Sequence, residues 1–106
     1  MLLKEVMEKS GLSRKAVQYY EDQGFVKPVK LENVYRDYDE DCLKTLRDIH
    51  AMRQMGLHIK EIRAILIEEE YAPQVYEQLI HELDMQMVRL QSQRTVLRKR
   101  MHHEEA

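Results

Sequence analysis

From Tyr76 onward the apolar residues of this chain recur in alternating steps of four and three: Tyr76, Ile80, Leu83, Met87, Leu90, Leu97 and Met101, with Arg94 the one polar residue in the series. On a helix such a series forms a single seam. Ala72 and Pro73 interrupt the pattern just before it, and proline suits a helix's first turn because the amide it lacks would have had no partner there. A helix from Pro73 to about His103 is roughly 45 Å long at about 1.5 Å per residue. A chain of 106 residues has nothing else long enough to cover it. The seam therefore predicts a coiled coil with a second copy, so the chain is expected to be a homodimer. The alternative is a helix folded back on itself or on the rest of the chain, and tetramers stay open as well.

The chain divides in this reading into a compact domain at 1–70 and a dimerisation helix at 71–106. Charged residues make up 34% of the sequence and aromatic residues 7%, with no Trp, which suits helices with long solvated faces and argues against a deep ligand cavity. The formal net charge of -2 argues against nucleic acid, because release of phosphate counterions drives that binding. Distribution overrules the total. Arg14, Lys15, Lys27, Lys30 and Arg36 lie in one upstream stretch, while Glu68, Glu69, Glu70, Glu104 and Glu105 lie far downstream. A single cysteine, Cys42, excludes an internal disulfide, and no signal peptide or apolar run of membrane length is visible. A soluble, cytoplasmic protein with no membrane partner is the expectation.

The upstream part reads as a helix-turn-helix with a wing. Leu2 to Glu8 makes a first helix with Leu3, Val6 and Met7 inward. Gly11 suits a left-handed turn, and Ser13 is a good N-cap for a second helix. On that helix Ala16, Val17 and Tyr20 share a packing face, leaving Arg14, Lys15, Gln18 and Tyr19 on the free surface. Gly24 ends it, a strand is expected to begin near Phe25, Lys30 to Asn33 makes a turn, and Val34 to Tyr38 alternates like a second strand. Asp39 caps a third helix that carries Leu43, Leu46 and Ile49 inward up to Gly56. A fourth helix runs from about His58 to Glu69, with Ile59, Ile62 and Leu66 inward. The fold class is thus mainly α, a winged helix-turn-helix head followed by two further helices and one long C-terminal helix.

Arg14 and Lys15, at the start of the second helix, are placed to meet phosphates or base edges in a major groove of double-stranded DNA, the bland alternative being a solvated helix face. Tyr19 can donate to a phosphate, and Gln18 can read adenine or contact nothing.

The residues Gly11, Ser13, Tyr19, Tyr20, Glu21, Gly24, Pro28, Asn33, Tyr35, Arg36 and Tyr38, together with the downstream segment MRQMGLHIKEIRAIL, resemble the MerR family of bacterial transcription regulators. The likeness covers nearly the whole chain. It implies that Tyr35 and Arg36 grip the DNA backbone. The alternative is that Tyr35 and Tyr38 only pack the hairpin; packing is the expectation for Tyr38 and phosphate contact for Arg36, with Lys27 and Lys30 as auxiliary cations. The resemblance also implies an antiparallel pairing of long helices and binding as a homodimer to an inverted-repeat promoter operator. The bound DNA would then be bent and untwisted, so that RNA polymerase can engage both core elements. Three positions depart from the family's pattern: Gln18 where arginine is common, Val34 where the wing turn usually has glycine, and His58 where serine usually caps the fourth helix.

Metal-sensing relatives use thiolates at the start of the long helix and in a loop beyond it, places that here hold Ala72 and Pro73 and then no cysteine. Aldehyde-responsive relatives carry a cysteine late in the third helix, where this chain has Ala51 and Met52. Cys42 reads as a small core residue, and His50, His58, His81, His102 and His103 offer no ligand spacing. No metal, cofactor or catalytic constellation is expected. An architectural DNA-bending or recombination accessory protein is the alternative function, although such factors generally lack a long dimer helix. A helical interaction module without a DNA role has only the overall negative charge in its favour.

Overall fold

The first helix, α1, spans Leu3–Ser10, two residues past the expected end at Glu8, and stops where the Gly11 N–H donates to the Met7 carbonyl at 3.0 Å. After it come α2 (Arg14–Asp22), β1 (Val29–Lys30), β2 (Arg36–Asp37), α3 (Glu40–Gln54), α4 (Ile59–Leu66), a one-turn 3-10 helix (Glu69–Tyr71) and α5 (Ala72–Met101). This computed structural model describes residues 1–102, and the chain falls into two compact units, Met1–Glu69 and a second that begins at Glu70.

In the first unit Val6, Val17, Leu46, Ile49 and Ile62 have no exposed surface, so each of α1 to α4 contributes to one core. Tyr38, Leu43, Val26 and Leu57 are among the other residues buried in it. On α4 the inward face is shifted from expectation: Ile62, Ala64 and Ile65 are buried, whereas Ile59 and Leu66 are only half-buried.

Ser13 caps α2 as its side chain implies, accepting from the Ala16 N–H at 3.1 Å. At the other end Gly24 adopts φ 84°, its N–H donates to the Glu21 carbonyl, and the Phe25 N–H reaches back to the Tyr20 carbonyl at 3.0 Å. The Phe25 ring meets Tyr20 edge-on at 6.1 Å between centroids. Two crossed bonds, a left-handed glycine and an apolar clasp make a Schellman motif. That motif corrects the expected strand near Phe25. The amide of Phe25 is committed to closing α2, and pairing starts only at Val29.

The hairpin is correspondingly short, with Val29 opposite Asp37 and Lys30 opposite Arg36. The Leu31 N–H donates to the Tyr35 carbonyl at 2.8 Å, and Val34 has φ 60°. A residue in that region cannot continue an extended strand, which is why β2 begins at Arg36 and not at Val34. Tyr38 leaves the hairpin and donates its N–H to the Met1 carbonyl at 2.7 Å, tying the wing's base to the strand-like start of the chain.

Asp39 caps α3 through a 2.8 Å bond from the Cys42 N–H. Gly56 ends the same helix by a second Schellman motif, in which the Leu57 N–H donates to the Met52 carbonyl. At the start of α4 the Glu61 carboxylate accepts from the His58 N–H at 2.8 Å, so a capping interaction survives with histidine in the cap position. α4 ends at Leu66, short of the expected Glu69. Glu68, Glu69 and Glu70 follow, and carboxylates at a helix C-terminus oppose the helix dipole.

The second unit is α5, a helix of 30 residues with Pro73 in its first turn and Arg98, Lys99 and Arg100 in its last. It begins one residue before the expected Pro73 and its last helical residue is Met101. His103, Glu104 and Glu105 lie outside the described residues. Every seam residue, from Tyr76 at 47% to Met101 at 66%, is exposed. Among the described residues no helix is long and apolar enough to cross a membrane.

Candidate nucleic-acid interface

Residues on a helix that are four apart share a stripe, and α2 has two such stripes on its free surface. Arg14 and Gln18 form one, continued by Glu21 and Asp22; Lys15 and Tyr19 form the other. The first stripe faces the wing. Arg14, Gln18, Glu21 and Asp22 line an open groove of about 710 Å³ with Asn33, Val34, Tyr35 and Arg36 of the hairpin and with Leu2, Leu3 and Lys4 at the start of α1. Of the eight residues expected to contact DNA, the structure brings Arg14, Gln18, Tyr35 and Arg36 together here.

Tyr19 is 45% exposed but turns away from that groove, meeting Tyr20 edge-on at 5.6 Å and lining a shallower depression with Arg53, His58 and Ile59. Lys15, Lys27 and Lys30 are exposed and line neither hollow. Lys4 is a cation the sequence reading did not single out. Its signal was weak, one lysine on the polar face of a short first helix.

Arg36 is tied to α2 across the groove. Its Nε lies 2.8 Å from Glu21 Oε1, with the Arg36 side chain 36% and the Glu21 side chain 17% exposed. The buried Glu21 oxygen has no aligned hydrogen bond, so Arg36 is held by charge attraction without a directional bond. This ion pair links β2 to α2, and a guanidinium has further N–H donors beyond Nε with which to meet a phosphate.

Tyr38, by contrast, is 2% exposed and burial pushes its phenol upward from the ordinary tyrosine range, in keeping with a packing role. Cys42 is buried as well, and burial drives its thiol upward, which favours the protonated, unreactive form. Among the described residues no three His, Cys, Asp or Glu side chains gather as a metal site.

A second helix laid beside a small hairpin, with cations and hydrogen-bonding side chains facing one open groove, is an arrangement that can place α2 in a major groove and the wing on the flanking backbone. A sequence profile described as MerR HTH family regulatory protein matches residues 1–69. The HTH-type transcriptional regulator HmrR of Rhizobium leguminosarum bv. viciae is 38% identical over 66 residues, covering 62% of this chain and 51% of that protein. The regulator CueR of Salmonella typhi is 37% identical over 62 residues, covering 58% of this chain and 45% of its own. The chain thus spans about half the length of the curated relatives it matches. Among solved structures, one assigned to the MerR family from Listeria monocytogenes has a TM-score of 0.79 at 21% identity, covering 97% of this chain and 87% of that chain. The transcription regulator PbrR691 from Ralstonia metallidurans CH34, in complex with lead(II), has a TM-score of 0.68 at 24% identity, covering 95% and 86%. At those identities the likeness is one of fold.

Proposed function

The chain belongs to the MerR HTH family of regulatory proteins, and from that premise we propose that it is a homodimeric transcription regulator that binds an inverted-repeat promoter site and distorts it. The observation that carries the reading is the groove in which Arg14 and Gln18 of α2 meet Tyr35 and Arg36 of the wing. Arg14 and Gln18 enter the major groove, Arg14 toward guanine or phosphate and Gln18 toward adenine. Arg36 and Tyr35 hold the backbone beside it, with Lys15, Tyr19, Lys27 and Lys30 as outlying phosphate contacts. The protein acts in the cytoplasm by binding and not by catalysis, and RNA polymerase is its partner at the promoter.

Dimerisation uses α5. Seam residues Tyr76, Ile80, Leu83, Met87, Leu90, Leu97 and Met101 are all exposed along roughly 37 Å of helix, given roughly 1.5 Å per residue, and an apolar strip of that length needs a cover. Charge selects the orientation. A parallel pair in register would set Arg94 against Arg94 of the partner subunit. An antiparallel pair centred on Met87 and the partner's Leu90 sets Ile80 against the partner's Leu97 and Glu77 against the partner's Arg98. It also puts Arg94 within reach of the partner's Asp84, its aliphatic stem covering the seam.

Titration of a duplex selected in vitro by the wild-type protein, at two salt concentrations, tests the interface. Arg14→Ala and Arg36→Ala are each expected to weaken binding and to lower the salt slope by about one unit per lost phosphate contact. Unchanged affinity and slope in both variants would remove the groove from the interface.

A further inference from the structure

The wing turn holds its one apolar tip residue in a left-handed conformation with nothing packed on its side chain. The loop from Leu31 to Tyr35 is closed by the Leu31 N–H on the Tyr35 carbonyl, and Val34 sits in it at φ 60°, where glycine or asparagine is the usual occupant. For a β-branched residue this is a true outlier. Strain of that kind is ordinarily balanced by packing, yet Val34 is 90% exposed and its side chain has only methyl groups to offer. The turn closes without help from the isopropyl group, which is left free to meet a surface outside the subunit. Val34 lines the same groove as Arg14, Gln18, Tyr35 and Arg36, so the surface outside it is the one the DNA occupies under the reading above, on which this inference rests.

We propose that Val34 is a DNA-contacting residue of the wing, its isopropyl group resting on deoxyribose carbons along the minor-groove edge while Arg36 two residues on holds the phosphate. The chemistry is apolar contact with the sugar wall, which is uncharged and nearly independent of base identity. Nearby Tyr35, 60% exposed, provides a second apolar surface beside it. The contact adds affinity without adding a cation to the wing.

The test compares Val34→Gly, Val34→Asn and Val34→Ile in thermal unfolding and in titration of the wild-type-selected duplex at two salt concentrations. Glycine and asparagine both relieve the strain, so each raises the midpoint of unfolding. Each also weakens binding about tenfold or more, the consequence of losing one buried valine side chain per wing, with the salt slope unchanged. Isoleucine keeps near-wild-type affinity. Asparagine separates the lost contact from the added flexibility of glycine, because it accepts the left-handed conformation without loosening the chain. Binding by Val34→Gly and Val34→Asn at wild-type strength overturns the inference while leaving the DNA-binding reading intact. So does a loss accompanied by a shallower salt slope, which would mean that a phosphate contact had moved. A wild-type protein that selects no duplex overturns both.

Discussion

Arg63 of α4 donates through one nitrogen, Nη2, to two oxygens of Gln23, the backbone carbonyl at 2.8 Å and the side-chain oxygen at 2.7 Å. The same guanidinium stands 5.1 Å from the centroid of the Phe25 ring. A helix 40 residues downstream thus holds the end of α2 at the point where the chain turns toward the wing. Arg63→Ala should destabilise the first unit by about 2–4 kcal/mol, through loss of the charge-assisted hydrogen bonding to Gln23 and of a partly exposed cation–π contact. Arg63→Lys should recover less than half of that, since lysine keeps the charge but loses the planar group that stacks on Phe25 and holds the N–H donors in a fixed direction. Urea unfolding monitored by helical circular dichroism checks both, and equal stability of Arg63→Lys and wild type would refute the geometric reading.

Glu21 and Arg36 join helix to wing at the groove itself. Glu21→Gln removes the attraction and, with it, a negative charge beside the proposed DNA path. A partly exposed ion pair is worth at most about 1 kcal/mol, so stability should fall only slightly. Affinity for random duplex at low salt should rise severalfold, because one repulsive charge has gone and Arg36 is released to phosphate. Filter-binding titrations decide, and a fall in non-specific affinity would mean that the pair's role is to hold Arg36 in place.

The cap of α3 makes stability depend on pH. The Cys42 amide, donating to Asp39, holds the Asp39 carboxyl below its ordinary range. A depressed folded-state pKa means that the contribution is full above the unfolded-state value and is lost as pH falls through the folded one. Asp39→Asn, which caps comparably without titrating, should be nearly as stable as wild type at neutral pH and should lose less on acidification. Thermal melts at neutral pH and in the acid range, compared between the two proteins, provide the check. Parallel loss in both would assign the acid sensitivity elsewhere.

Much of the fold was legible because short-range chemistry fixes it. Ser13, Asp39, Gly24 and Gly56 mark helix ends through their side chains or their tolerance of positive φ, and each does so in the structure. The strands were less legible. Phe25 has the character of a strand residue, but its amide belongs to the Schellman motif, and a clasp of that kind depends on Tyr20 being at the right turn of the helix. The split of the candidate contacts into two stripes was present in the sequence, since Arg14 and Gln18 are four apart, as are Lys15 and Tyr19. Which stripe faces the wing was not, because that depends on how the hairpin returns over α2. The Glu21 to Arg36 pair and the Arg63 clamp join residues distant in sequence, and no local pattern announces them.

The proposed pairing of α5 makes a reciprocal prediction. Glu77→Arg and Arg98→Glu should each weaken the dimer severalfold by placing like charges across the seam, while the double variant should restore it. Sedimentation equilibrium across a concentration series reads the effect. Failure of the double variant to recover would set aside this register.

The most direct test of the central claim is a hydroxyl-radical footprint of the wild-type protein on its selected duplex. Two protected backbone segments related by a dyad, one for each α2 and wing, are predicted, with altered reactivity at the uncontacted centre where the DNA is distorted. A single unsymmetrical footprint, or uniform protection without a dyad, would contradict a dimer that binds an inverted repeat through these two grooves.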